Sequence, residues 1–87
     1  MNLNPHGMNL DQAPLTTVWR VARVQSPDGR DEQVRQLEEI GFLPGEPVCV
    51  MSRGLMGGDP LAVRVGLSTF ALRREEARCI ELESTGA

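Results

Sequence analysis

The stretch Val34 to Val50, VRQLEEIGFLPGEPVCV, limits what this chain can fold into more than any other, because it contains a helix, its stop, a turn and the start of a strand. Val34, Leu37 and Ile40 recur at three-residue spacing, so they lie along one side of a helix, with Arg35, Gln36, Glu38 and Glu39 on the others. The pattern predicts one buried stripe. Gly41 follows the last periodic residue, where glycine carries no Cβ penalty in a positive-φ conformation, and Phe42 or Leu43 can fold back as the apolar partner of the stop. The helix therefore ends at about Ile40. Pro44 presets φ at the second position of a tight turn and Gly45 supplies the positive φ of the third, so a strand begins near Val48.

Upstream, Ser26-Pro27-Asp28-Gly29 is a turn signal, and Asp28 or Asp31 is positioned to cap the helix. Asp31 with Arg35 and Arg35 with Glu39 are i,i+4 pairs on a solvated face. Leu15 to Gln25 is rich in threonine and valine and predicts a strand, although Val18, Trp19, Val21, Ala22 and Val24 do not alternate cleanly. Trp19 is expected half-buried at a rim. Met1 to Pro14 is polar, carries Pro5, Gly7 and Pro14, lacks periodicity, and reads as a disordered tail.

Downstream, Val48 and Val50 share one strand face while Cys49 and Met51 point the other way. Arg53 to Pro60, RGLMGGDP, reads as a glycine-rich loop in which Leu55 and Met56 fit no alternation. A two-residue Gly66-Leu67 turn would set Val65 opposite Ser68, Val63 opposite Phe70 and Leu61 opposite Leu72, putting the large apolar residues on one face. A one-residue slip would expose one strand's apolar set, so burial should hold this register. Arg73 to Ala77 has the composition of one helical turn. Arg78 to Leu82 alternates again, with Ile80 and Leu82 inward and Cys79 and Glu81 outward, and residues 84–87 are expected to fray. The result is a mostly β domain over residues 15–83, a small antiparallel barrel of about five strands with one helix and a short helical turn before the last strand.

Composition narrows the function. Eighty-seven residues suffice for one domain, and a chain of this size buries only about 60% of its unfolded surface, which leaves little room for a deep cleft. Twelve acidic against nine basic residues make the chain mildly negative, the opposite of the basic stripe of a nucleic-acid binder. All the basic residues are arginine, a composition that by itself indicates no site. No signal-peptide pattern or transmembrane-length apolar run is present, so a cytoplasmic location is expected. Cys49 and Cys79 form no C-x-x-C and are expected to be free thiols.

Catalysis finds no constellation. His6 is the single histidine and lies in the predicted tail, so no Ser-His-Asp or Cys-His arrangement is at hand. Glu38 with Glu39 and Glu75 with Glu76 are neighbours that do not face one another on a helix. GLMGGDP lacks the G-K-[ST] ending of a phosphate loop. Cys49, Cys79 and His6 show no structural-zinc spacing, and no metal or cofactor is required. His6 remains a weak candidate for adventitious binding of a divalent metal with nearby carboxylates, between two molecules; a homodimer is compatible with the sequence.

LEEIGFLPGEPVCV, followed by LMGGDPLAVRVGLSTFALRREEARCIEL, resembles the FeoA family of small bacterial proteins associated with ferrous-iron transport. The resemblance covers Val34 to Leu82, with the parts in the family's order: a leucine-containing helix, an L-G-x-x-P-G-like stop, a G-D-P loop and an A-L-R-x-x-E-A segment. It implies an SH3-like barrel and a regulatory accessory role, with docking on the GTPase-bearing cytoplasmic domain of the membrane ferrous-iron transporter FeoB. The residues suggest where: Leu55 and Met56 on the exposed loop, or the charged segment that begins with Arg73 and Arg74. The competing reading for Leu55 is a plug beneath one end of the barrel. Three alternatives rank lower: an interaction module like the SH3-like domains of metal-dependent transcriptional repressors, for which the chain lacks a helix-turn-helix segment; an RNA-binding barrel, for which it lacks stacking aromatics; and an enzyme.

Overall fold

The helix implied by the Val34-Leu37-Ile40 spacing spans Asp31–Glu39 (α1) and stops as its sequence requires. Gly41 has φ +123°. Its N–H donates to the Glu38 carbonyl and the Phe42 N–H donates to the Leu37 carbonyl, each at 3.1 Å, the paired bonds that satisfy the last carbonyls of a helix. The reversal sends Phe42 into the core with no exposed surface. That settles a correction to the predicted stripe: Leu37 is buried and Val34 half-buried, but Ile40 is 39% exposed. Phe42 occupies the inward place that Ile40 would take in a longer helix. At the other end, no aspartate caps α1. Ser26 closes the turn instead, its carbonyl accepting from Gly29 N–H at 3.1 Å and its hydroxyl from Arg30 N–H at 3.0 Å, while Asp31 lies inside the first turn, where its charge suits the helix dipole.

The computed structural model describes residues 8–84. Six antiparallel strands form one sheet in the order β1-β6-β2-β3-β4-β5. They are β1 (Met8–Asn9), β2 (Val18–Val24), β3 (Pro47–Gly54), β4 (Gly58–Val65), β5 (Ser68–Leu72) and β6 (Ile80–Glu83), with a short helix α2 (Arg74–Ala77) between the last two. Their inward side chains, with Leu37 and Phe42, make one core, so the sheet wraps around itself. α2 touches both β4 and the 3-10 turn Leu10–Gln12. The hairpin register is the expected one, Val65 with Ser68, Val63 with Phe70 and Leu61 with Leu72. Glu46 N–H donates to the Leu43 carbonyl at 3.0 Å and Gly45 has φ +91°, which completes the Pro-Gly turn into β3.

The imperfect alternation of β2 has a structural cause. Against β6 the register shifts between Val21 and Arg23, a bulge that leaves Ala22 as the extra residue. An extra residue reverses the inward parity. Hence Val21 before it is buried and Val24 after it packs against the core, while Trp19 is half-buried as expected. Beyond the bulge, Arg23 meets Glu81 at 2.9 Å across the strands, an exposed pair worth little by itself.

Three further expectations are corrected. First, residues 8–14 are not a tail: Met8 and Asn9 pair with Leu82 and Glu81 as the sixth strand, and Leu10 and Ala13 are buried. Two apolar residues three apart share a side of a single 3-10 turn, too short a repeat to show as periodicity. The domain thus begins before residue 15. Residues 1–7, with His6, and residues 85–87 lie outside the described residues. Second, RGLMGGDP is not a loop but the narrow end of the β3-β4 hairpin. Third, Cys79 is buried, not outward, because it sits in the turn before β6, where strand alternation does not apply. Its thiol donates to Gln33 Oε1 at 3.5 Å. Cys49 is half-buried and both thiols are free.

Two measurements test this account. A Cβ at Gly41 would meet no atom closer than a Val65 methyl at 3.9 Å, and φ is +123°, so Gly41→Val should carry a conformational cost of about 1–2 kcal/mol, read as a lower midpoint in urea. Burial first, then the charges of Asp28 and Glu76, push the Cys79 thiol above its ordinary value of 9.0. A raised folded-state value means that its stabilising contribution is complete below 9.0 and is lost as the pH rises through the folded value. Native Cys79 should accordingly be alkylated far more slowly than Cys49 at pH 8, the difference vanishing in denaturant.

Candidate functional site

β3 and β4 pair regularly from Val48 with Val65 to Val50 with Val63, then shift register around Met51 and again after Arg53. The hairpin closes on Gly54 opposite Gly58, with Met56 bridged to Asp59 beyond. Gly54 is required by proximity: a Cβ there would collide with the Asp59 carbonyl. Glycine is what lets the two chains close so near the tip. Leu55, Met56 and Gly57 are left projecting, and Gly57 adopts φ +68° to turn the chain back.

The projecting side chains are fully solvated. Leu55 is 101% and Met56 83% exposed. The reading of Leu55 as a plug under the barrel is thereby corrected: Leu55 has no part in the core, which includes Leu10, Phe42 and Ala77. The tip is nevertheless held in place. Asp59 Oδ1 accepts from the Arg74 N–H at 2.7 Å, and Arg74 Nη1 donates to the Gly57 carbonyl at 3.3 Å. The first free amide of α2 is thus satisfied by a side chain from another element, a capping bond made across the fold. Arg73 N–H in turn donates to Glu76 Oε1 at 2.8 Å.

Leu55 and Met56 on one side, Arg73 and Arg74 on the other, were two separate candidates along the chain. The structure brings Met56 and Arg73 to one groove and bonds Arg74 to Gly57 at the tip. The groove is open, of about 510 Å³, and bounded by Met56, Asp59, Pro60, Ala71, Arg73 and Glu76. Apolar tip, exposed guanidinium groups and a shallow groove suit docking of another protein, with methionine adapting to its surface and arginine offering a planar fork to carboxylates. Among the described residues no three His, Cys, Asp or Glu side chains are grouped to hold a metal ion, and His6 is not among those residues.

Asp59 is the residue that sequence reasoning missed. The G-D-P run placed it in a loop, but its partner Arg74 lies fifteen positions away, beyond local patterns. Asp59→Ala should cost about 1 kcal/mol and speed hydrogen exchange at the Arg74 amide, as read by NMR, while leaving the β4-β5 amides protected.

The chain was compared with known proteins. No curated protein matches it significantly. Among solved structures, FeoA of Stenotrophomonas maltophilia, complexed with zinc and described as a prokaryotic SH3 domain protein and a candidate activating factor of bacterial ferrous-iron transport, is 40% identical with a TM-score of 0.79 over 88% of this chain and 91% of its own. Iron(II) transport protein A of Clostridium thermocellum is 29% identical, with a TM-score of 0.75 over 91% of this chain and 46% of its own. A manganese-dependent transcriptional repressor shares the fold alone, at 21% identity and a TM-score of 0.76 over 88% of this chain and 41% of its own. No helix among the described residues is long and apolar enough to cross a membrane. The FeoA domain family matches over residues 8–84, the whole described fold, and the chain belongs to that family of SH3-like proteins of ferrous-iron transport.

Proposed function

We propose that this protein is a cytoplasmic accessory protein of ferrous-iron uptake that docks on the GTPase-bearing cytoplasmic part of the membrane transporter FeoB and regulates it. The observation that carries this reading is the projecting tip, Leu55 and Met56 in water on a hairpin tied to α2 through Asp59 and Arg74. Covering a leucine or methionine side chain gains about 1.5–3 kcal/mol. An anchored backbone reduces what must be ordered on binding, so more of that gain appears as affinity. Arg73 lines the groove beside Met56 and Arg74 bonds the Gly57 carbonyl at the tip, and both suit carboxylates on the partner. Family membership supports the choice of transport system, and the exposed tip supports the choice of face.

Replacing Leu55 and Met56 together by serine should leave the melting temperature nearly unchanged, because both are exposed, and abolish co-purification with the transporter. GTP turnover by the transporter's soluble domain, with and without this protein, then reads the regulatory effect. A folded double variant that binds the intact transporter with full affinity moves the docking face elsewhere, and absence of binding by the unaltered chain in every nucleotide state removes the proposal.

A further inference from the structure

The sheet order leaves β5 at an edge, and nothing in the strand discourages further pairing. Ser68–Leu72 reads STFAL, without charge or proline, and pairs with β4 without a bulge. Soluble proteins usually blunt an edge with one of these devices or cover it. The opposite edge, β1, is only two residues long. In a two-residue hairpin the closing pair, here Val65 and Ser68, exchanges both hydrogen bonds, and alternation then turns the main-chain N–H and C=O of Thr69 and Ala71 away from β4. Both residues are exposed. Among the described residues, no backbone hydrogen bond from outside the β4-β5 ladder reaches Ser68–Leu72.

Beside this edge a groove of about 330 Å³ runs between β5 and α1. Leu37, Ile40, Phe70 and Leu72 give it an apolar floor, Glu39 and Glu76 supply its only charges, and no arginine lines it. Ile40, displaced from the core by Phe42, is 39% exposed there. We infer that β5 and this groove take up an extended segment of a partner protein as an added strand, with apolar side chains against Ile40 and Phe70 and arginine or lysine against Glu39 and Glu76. Main-chain bonds to Thr69 and Ala71 hold the segment and alternate side chains select it. A second copy of the chain fits less well. Two-fold pairing of β5 with β5 would set the same carboxylates against each other on a chain of net charge -3, where like charges oppose association. The surface adjoins the groove beside the hairpin tip, sharing Ala71 and Glu76 with it, but Leu55 and Met56 form no part of it.

The test is a display library of random short peptides panned against the full chain, with enriched peptides synthesised, titrated by fluorescence anisotropy and followed by hydrogen exchange. Enriched sequences should alternate apolar with basic residues, protect the Thr69 and Ala71 amides, and bind less well at high salt. Ala71→Pro removes an outward donor, and Glu39→Lys reverses a groove charge. Each should weaken binding roughly tenfold, whereas serine at Leu55 and Met56 should change nothing. Should Ala71→Pro fail to fold, Thr69→Pro and Glu39→Lys decide the matter. Enrichment of acidic or patternless peptides, no enrichment, no protection at Thr69 and Ala71, or binding indifferent to the strand and groove variants overturns the inference. So does a homodimer in sedimentation equilibrium that the proline variant dissociates, which would give the edge to a second copy.

Discussion

The hydrogen bond from Phe42 N–H to the Leu37 carbonyl is the interaction on which the rest of the domain depends. It exists because Gly41 accepts a positive φ. Through it the helix ends, the chain reverses, and a phenylalanine enters the barrel. The Pro44-Gly45 turn then delivers Val48 and Val50 to the same interior. A side chain of this size excludes much of the water from a core that is small by any standard, and a small core has few other contacts to spare. The displacement of Ile40 to the surface follows from the same reversal, so a feature of the helix stop also shapes the groove between α1 and β5.

The hairpin tip obeys a different economy. Its apolar residues contribute nothing to the core, and its shape is maintained by polar bonds: Asp59 with the amide of Arg74, Arg74 with the carbonyl of Gly57. Such bonds add little net stability in water, but they limit the conformations open to the tip. Gly54 complements them by allowing the two strands to approach until the tip is narrow. Rigidity without burial is what a docking element needs, because side chains that are already positioned lose less entropy when a partner covers them. Structural likeness to a manganese-dependent repressor at 21% identity shows how far this barrel travels between contexts. Fold alone therefore assigns no role.

Where local chemistry decides conformation, the sequence was sufficient. The helix stop at Gly41, the Pro-Gly turn, the register of Leu61 to Val65 on Ser68 to Leu72 and the single turn after Arg73 all follow from glycine, proline and two-fold alternation acting within a few residues. Leu55 and Met56 were legible as a misfit in an alternating pattern, and a misfit is how exposure shows itself in sequence. Tertiary structure alone decided the remainder. Leu10 and Ala13 are buried because β6 offers Met8 and Asn9 a partner, Cys79 because its turn faces Gln33 of α1, and Ala22 is a bulge only against β6. The joining of the hairpin tip to Arg73 and Arg74 likewise needs Asp59 and Arg74 to meet across the fold. Local preferences specify turns and faces, but which distant groups satisfy one another's hydrogen bonds and cover one another from water is known only once the sheet has closed.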